Sequence, residues 1–332
     1  MSSGVAHVEV EAQPDGELLV SWELDGEPVA VDVATGSRPD HLDHRHETTV
    51  PSGEALRLPH DARGRLFVSV APHGGGSAVV SADRRVHFEG VTNFRDIGGY
   101  RTRCGARTRW GRVFRADALH GLSPRDRVLY DQLGIAAVYD LRGQVERNER
   151  PNPVPSRQLA ILGHPADSDR PSALAAATTQ ADGERILRDL YVGIIDHSAV
   201  QIGELFAALS EDNGLPAVFH CHAGKDHTGL VAALLLDALG VERATILDDY
   251  GLTARYRRRT EQESSYERLI ESGMSEEAAA GVLTTPKWVM QHALEELDRR
   301  HGSIADFLRG PAGMYPDTLD TLRQRLLEPP WV

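Results

Sequence analysis

The residues best equipped for chemistry stand together at Cys221, Lys225, Asp226, His227 and Thr228. Cys221 closes an apolar, partly β-branched run, Ala217-Val218-Phe219-His220, that reads as a buried strand. Behind the cluster, Leu230 to Leu239 is apolar on nearly every side and stops at Gly240, as a buried helix does. Strand, tight loop and helix in that order aim backbone N–H groups and the positive end of a helix dipole at one point. Such a point is an anion site, and its field favours the thiolate form of Cys221, the nucleophilic form.

His220-Cys221, then Ala223-Gly224-Lys225-Asp226 and Thr228-Gly229, resemble the signature loop of the cysteine-dependent protein tyrosine phosphatases. The likeness is greatest to the bacterial tyrosine/lipid phosphatase branch. It implies that Cys221 attacks phosphorus to form a phosphocysteine, while the loop from His222 through Gly229 holds the phosphate oxygens. Within that implied site Lys225 binds a non-bridging oxygen, Thr228 serves the thiolate, and Asp226 gives the leaving oxygen its proton. Asn93-Phe94-Arg95-Asp96-Ile97-Gly98-Gly99 resembles the element that opens the catalytic domain of the branch. Asp140-Leu141-Arg142 resembles the strand end beside its phosphate loop. Asn93, Arg95, Asp140 and Arg142 are therefore added to the substrate-binding set. For Arg142 a simple pairing with Glu146, four residues on, weighs equally.

The chain departs from the family at His227, where the family has an arginine. Imidazole lacks the permanent charge and two-pronged donor set of guanidinium. By analogy with arginine fingers, losing such a contact costs about 10³–10⁵ in rate. A neighbouring anion would raise the His227 pKa and recover part of it, and Arg95, Arg115 or Arg142 could supply a guanidinium from elsewhere. Three functions follow. The first is a phosphatase acting on a phosphorylated small molecule or phosphotyrosine. The second is a phosphate- or diphosphate-eliminating enzyme using His227 as acid or base, and the third a phosphate-binding pseudophosphatase. Neither a metal nor a cofactor is expected.

The composition suits such a protein. With 332 residues, 41% hydrophobic and 26% charged, the chain has the length for two domains and a substantial core. A net charge of −13 argues against nucleic acid as a partner, so an anionic substrate must be captured locally. No run is long enough to span a membrane, the N-terminus has no secretion-signal pattern, and Cys104 and Cys221 make no disulfide framework; a cytoplasmic location is expected. Lysine occurs only at Lys225 and Lys287, which makes the one inside the loop conspicuous.

The elements that position these residues fall into two parts. Residues 1–86 alternate in short strands around Val8, Leu18, Val31 and Val68, separated by turn residues such as Asp25-Gly26, and predict an immunoglobulin- or fibronectin-like β-sandwich. His41, His44 and His46 have metal-like spacing there, though an ordinary polar loop explains them better. Residues 87–332 predict an α/β phosphatase-like domain, a central sheet flanked by helices. Its first helix starts at Ser123-Pro124-Arg125-Asp126, with Ser as cap and Pro at the first position, and ends at Gly134. The Pro-, Ser- and Ala-rich stretch 151–181 is a candidate mobile loop over the pocket, and Arg255 to Arg259 a candidate basic guide for phosphate.

Overall fold

The computed structural model describes residues 4–328 apart from 14, 40–41, 43–46, 52–53, 60–64, 162–173, 175 and 258. His41, His44 and His46 thus lie outside the described residues, as does the middle of the proposed loop over the pocket.

Among its described residues the N-terminal region holds seven strands, β1 (Gly4–Ala12), β2 (Glu17–Asp25), β3 (Val31–Gly36), β4 (Glu47–Val50), β5 (Leu56–Pro59), β6 (Phe67–Pro72) and β7 (Val79–Ala82). They form two antiparallel sheets, ordered β1-β2-β5 and β4-β3-β6-β7. Alternation decides which side chains go inward. Val8, Val10, Leu18 and Val20 of one sheet and Val31, Val33, Val68 and Val70 of the other share one apolar core.

From residue 86 onward the chain is mixed α/β. Its central sheet is built from β8 (Arg95–Asp96), β10 (Val113–Ala116), β11 (Ala137–Asp140), β12 (Arg157–Gln158) and β13 (Ala217–His220). The spatial order is β12-β11-β13-β10-β8, all parallel except the β8 edge. β9 (Arg107–Thr108) instead pairs with a C-terminal strand, β14 (Leu327–Glu328). The last of the parallel strands in sequence, β13, is inserted between β10 and β11, in register so that His220 lies beside both Ala116 and Asp140. Every residue of β13 is buried. Cys221 therefore leaves the sheet at its middle, at the carboxyl end of the parallel strands, where open α/β sheets bind ligands.

Eleven helices are described: α1 (Pro124–Gln132), α2 (Gln144–Glu149), α3 (Gln180–His197), α4 (Ala199–Ser210), α5 (Asp226–Ala238), α6 (Arg243–Tyr256), α7 (Arg259–Glu271), α8 (Glu276–Leu283), α9 (Lys287–His301), α10 (Ile304–Arg309) and α11 (Pro316–Leu326). The start of α1 follows from local chemistry. Ser123 Oγ accepts the Asp126 N–H while the Asp126 carboxylate accepts the Ser123 N–H, closing a capping box. That carboxylate also takes the Glu89 and Gly90 N–H groups, at 2.6 and 2.9 Å, and ties the start of the domain to the helix. α5 is the core helix, with Leu230 through Leu236 at 2% exposure or less. Among the described residues no single helix is long and apolar enough to cross a membrane.

Candidate active site

The loop from Cys221 to Lys225 joins β13 to α5. Gly224 has φ +63°, and a Cβ there would stand 2.6 Å from the Ala116 carbonyl oxygen, so both the turn and the close approach require glycine. Among the described residues no side chain caps the start of α5, where the first N–H groups of a helix have no partner within it. Such groups attract an anion. The loop is pinned to the sheet by the Leu141 N–H donating to His220 O and the Ala118 N–H donating to His222 O.

Cys221 is only 4% exposed. Burial by itself pushes the thiol up. His227, by hydrogen bonding and charge, and Thr228 more than offset that push and bring it below its ordinary value. Thr228 Oγ1 is buried and has no other hydrogen-bond partner among the described residues. The half-buried His227 responds in kind. Burial lowers its pKa, but contact with Cys221 and the charges of Asp226 and Glu146 raise it overall. The two side chains thus favour a thiolate–imidazolium pair.

His220 holds the loop from beneath. Asn152 has its amide orientation set by Arg142, which donates to Oδ1, and by Asp140, which accepts from Nδ2. Asn152 Nδ2 therefore also donates to His220 Nε2 at 2.9 Å, which leaves Nδ1–H to donate to the Cys221 carbonyl at 3.1 Å. Burial lowers the His220 pKa to about 4, consistent with this neutral tautomer.

A second support is charged. Asn93 Nδ2 donates to the carbonyls of Ala223 and Gly224 at 3.0 and 3.1 Å, and Arg115 donates to Gly224 O at 2.9 Å. Arg95 donates to Asn93 Oδ1, and both arginines converge on Asp249 of α6, Arg95 at 3.1 Å and Arg115 at 2.5 Å. Asp249 is 2% exposed and the arginines fully buried. Burial opposes the Asp249 charge, but the two guanidiniums outweigh it and hold the carboxyl far below its usual range.

The sequence-predicted residues divide accordingly. Cys221, His222, Ala223, Gly224, Lys225, Asp226, His227, Thr228 and Gly229 share the loop and the first turn of α5. Asn93 and Arg95 lie in the framework under it. Arg142 neither pairs with Glu146 nor hangs free. It forks onto Asp140 through Nε at 2.9 Å and NH2 at 2.7 Å, because the carboxylate sits two residues back at the strand end and both are desolvated. Lys225 is 2% exposed, and its Nζ donates to Val282 O and Thr284 O at the end of α8, at 2.5 and 3.0 Å. That helix end carries negative partial charge, a natural seat for an ammonium. Asp226 accepts the Tyr191 hydroxyl at 2.9 Å and lies 3.3 Å from Lys225 Nζ, both on Oδ1. Tyr191 in turn meets the Tyr250 hydroxyl at 2.7 Å. At the rim, Arg268 of α7 donates to His222 Nε2 at 3.0 Å. In the proposed basic guide, Arg255 pairs with Glu11 at 2.8 Å and Arg257 is 8% exposed. Sequence reasoning missed Asn152, Tyr191, Tyr250, Asp249 and Arg268.

Among the described residues no cluster of histidine, cysteine and carboxylate could hold a metal ion.

A protein of Cupriavidus necator provisionally named a tyrosine-protein phosphatase is 27% identical over 247 residues, covering 73% of this chain and 89% of its own. The triple specificity protein phosphatase PtpB of Mycobacterium tuberculosis is 29% identical over 273 residues, 72% of this chain and 97% of its own. Among solved structures, TpbA of P. aeruginosa overlaps 57% of this chain and 90% of its own at 15% identity, with a TM-score of 0.25. The profile of the tyrosine phosphatase family matches residues 86–328, most of the chain and all of the α/β region just described, and this protein belongs to that family.

Proposed function

We propose that this protein hydrolyses phosphate monoesters, on a phosphorylated small molecule or phosphotyrosine, through a phosphocysteine at Cys221. The observation that carries the reading is the buried Cys221 thiol held below its ordinary pKa between His227 and Thr228, at the uncapped start of α5. In the first step the thiolate attacks phosphorus, the P–O ester bond breaks, and the leaving oxygen takes a proton from Asp226. Both described contacts of Asp226 fall on Oδ1, which suits Oδ2 to that role. In the second step water attacks the phosphocysteine, the S–P bond breaks, phosphate leaves, and Asp226 recovers the proton. The imidazolium of His227 supplies the positive charge that a guanidinium supplies elsewhere in the family. Loop amides and the first turn of α5 hold the non-bridging oxygens, while Asn93, Arg95, Asp140 and Arg142 keep the loop in shape.

The titratable His227 also favours a second reading, elimination of phosphate with His227 moving the proton. We further propose two domains, 1–86 and 87–332, the first a β-sandwich of immunoglobulin or fibronectin type. Turnover of an aryl phosphate, a phosphoenzyme trapped by acid quench, and loss of both in Cys221→Ser support hydrolysis. Turnover that survives in Cys221→Ser refutes it, and an unsaturated product instead of an alcohol selects elimination.

A further inference from the structure

Outside the loop, a cleft of about 580 Å³ lies between strands β1 and β7 and the α/β region, walled by the 99–107 segment and α6. Its volume is that of an ordinary small-molecule site. Five carboxylates and five arginines line it, but most of the carboxylates are already engaged. Glu11 pairs with Arg255, Asp248 with Lys287, and Asp249 with Arg95 and Arg115, while Asp83 hydrogen-bonds the His87 ring. Glu9 sits within the field of Arg255. Four arginines of the cleft, Arg84, Arg85, Arg101 and Arg107, form no ion pair among the described residues.

Arg84 and Arg85 lie over aromatic faces, Tyr100 at 3.9 Å and Tyr256 at 5.3 Å. Arg107 is half-buried and donates only to carbonyls, Gly99 O at 3.4 Å and Ala6 O at 3.2 Å. Burial first, then the neighbouring Arg101, make its charge costly, and the field of Glu328, opposite it on β14, offsets this only in part. Guanidiniums without an ion-pair partner among the described residues, gathered in a cavity of a chain with net charge −13, run against the protein's overall field. A bound anion is what would balance them.

We propose that this cleft is a second anion site, taking a small, multiply charged phosphate compound through Arg101 and Arg107, with Arg84 and Arg85 beside them. Guanidinium forks match phosphate oxygens in pairs, and two adjacent forks suit a ligand with more than one anionic group. The site is separate from the Cys221 loop, although Asp249 belongs to the walls of the cleft and to the support of the loop.

The test is calorimetric titration of the full chain with pyrophosphate. Cys221→Asp, whose carboxylate repels anions from the loop, is expected to retain one pyrophosphate site. Adding Arg101→Ala and Arg107→Ala in that background is expected to weaken it about tenfold or more, the loss of a charge-assisted hydrogen bond. Arg101 is exposed, so Arg101→Ala alone provides the same reading if the double substitution fails to fold. In the chain with Cys221 intact, Arg101→Ala is expected to leave aryl phosphate turnover unchanged. Absence of binding in Cys221→Asp, or binding untouched by either arginine substitution, overturns the proposal. Tighter binding of citrate than of pyrophosphate overturns the phosphate assignment.

Discussion

Replacing His227 by glutamine tests the thiolate–imidazolium pair directly, because it keeps a polar donor and removes the charge. Burial pushes the Cys221 thiol up, and His227 is the first of the groups that reverse this. Two unit charges about 4 Å apart interact by about 4 kcal/mol at an effective dielectric constant of about 20. Solvent reaches the half-buried His227 and reduces that figure. A rise in the Cys221 pKa is therefore expected. The measurement is ultraviolet thiolate absorbance against pH, with the same curve for Cys221→Ser subtracted to remove the exposed Cys104. Coupling is reciprocal, so Cys221→Ser is expected to lower the His227 pKa by the same amount, read from its imidazole NMR signals. Activity depends on thiolate at its acid limb and on imidazolium at its alkaline limb, giving a bell-shaped profile. His227→Arg is expected to remove the imidazolium's share of the alkaline limb and leave the share set by Asp226, the proton donor. An unchanged Cys221 titration in His227→Gln would refute the reasoning.

Three other perturbations probe the framework. Asp249→Ala leaves the buried Arg95 and Arg115 facing each other without their carboxylate, and is expected to cost about 3–5 kcal/mol in denaturant unfolding. Because the folded Asp249 pKa is depressed, its contribution is present above the unfolded carboxyl pKa and fades as pH falls through the folded value, so wild type and variant should converge in acid. Gly224→Ala forces a Cβ against the Ala116 carbonyl at a positive φ; about 1–3 kcal/mol of strain and loss of phosphate binding are expected, and phosphate titration checks it. Tyr191→Phe removes the donor to Asp226 Oδ1, and kcat should fall about tenfold for phenyl phosphate but little for an aryl phosphate with an acidic leaving group, where proton donation counts less.

What the sequence disclosed was local. The Cys221–Gly229 loop, the Ser123 capping box and the close packing at Gly98-Gly99 are each written within a few residues, and in the structure a Cβ on Gly98 would meet Trp110 Cα at 2.5 Å. The alternating strands were legible in the same way, since period-two burial needs only neighbouring residues. The support of the loop was not. Asp249 is 154 residues from Arg95, and a charged residue in a helix reads as solvent-facing until its partner is known. Lys225 illustrates another blind spot, because its partners are main-chain carbonyls and no side-chain pattern encodes them. Asn152 sits in a proline-rich stretch that gave no hint of a role beneath His220.

The insertion of β13 between β10 and β11 also governs assembly. Each neighbour is made well before it, and neither can complete its ladder until residues 217–220 are available. During synthesis, two apolar strand edges must wait, open, for a late third member, and such non-local pairing is slow and prone to misassociation. The nucleophile is thus delivered by the final piece of the sheet, so a chain that has not closed its centre has no reactive site to expose.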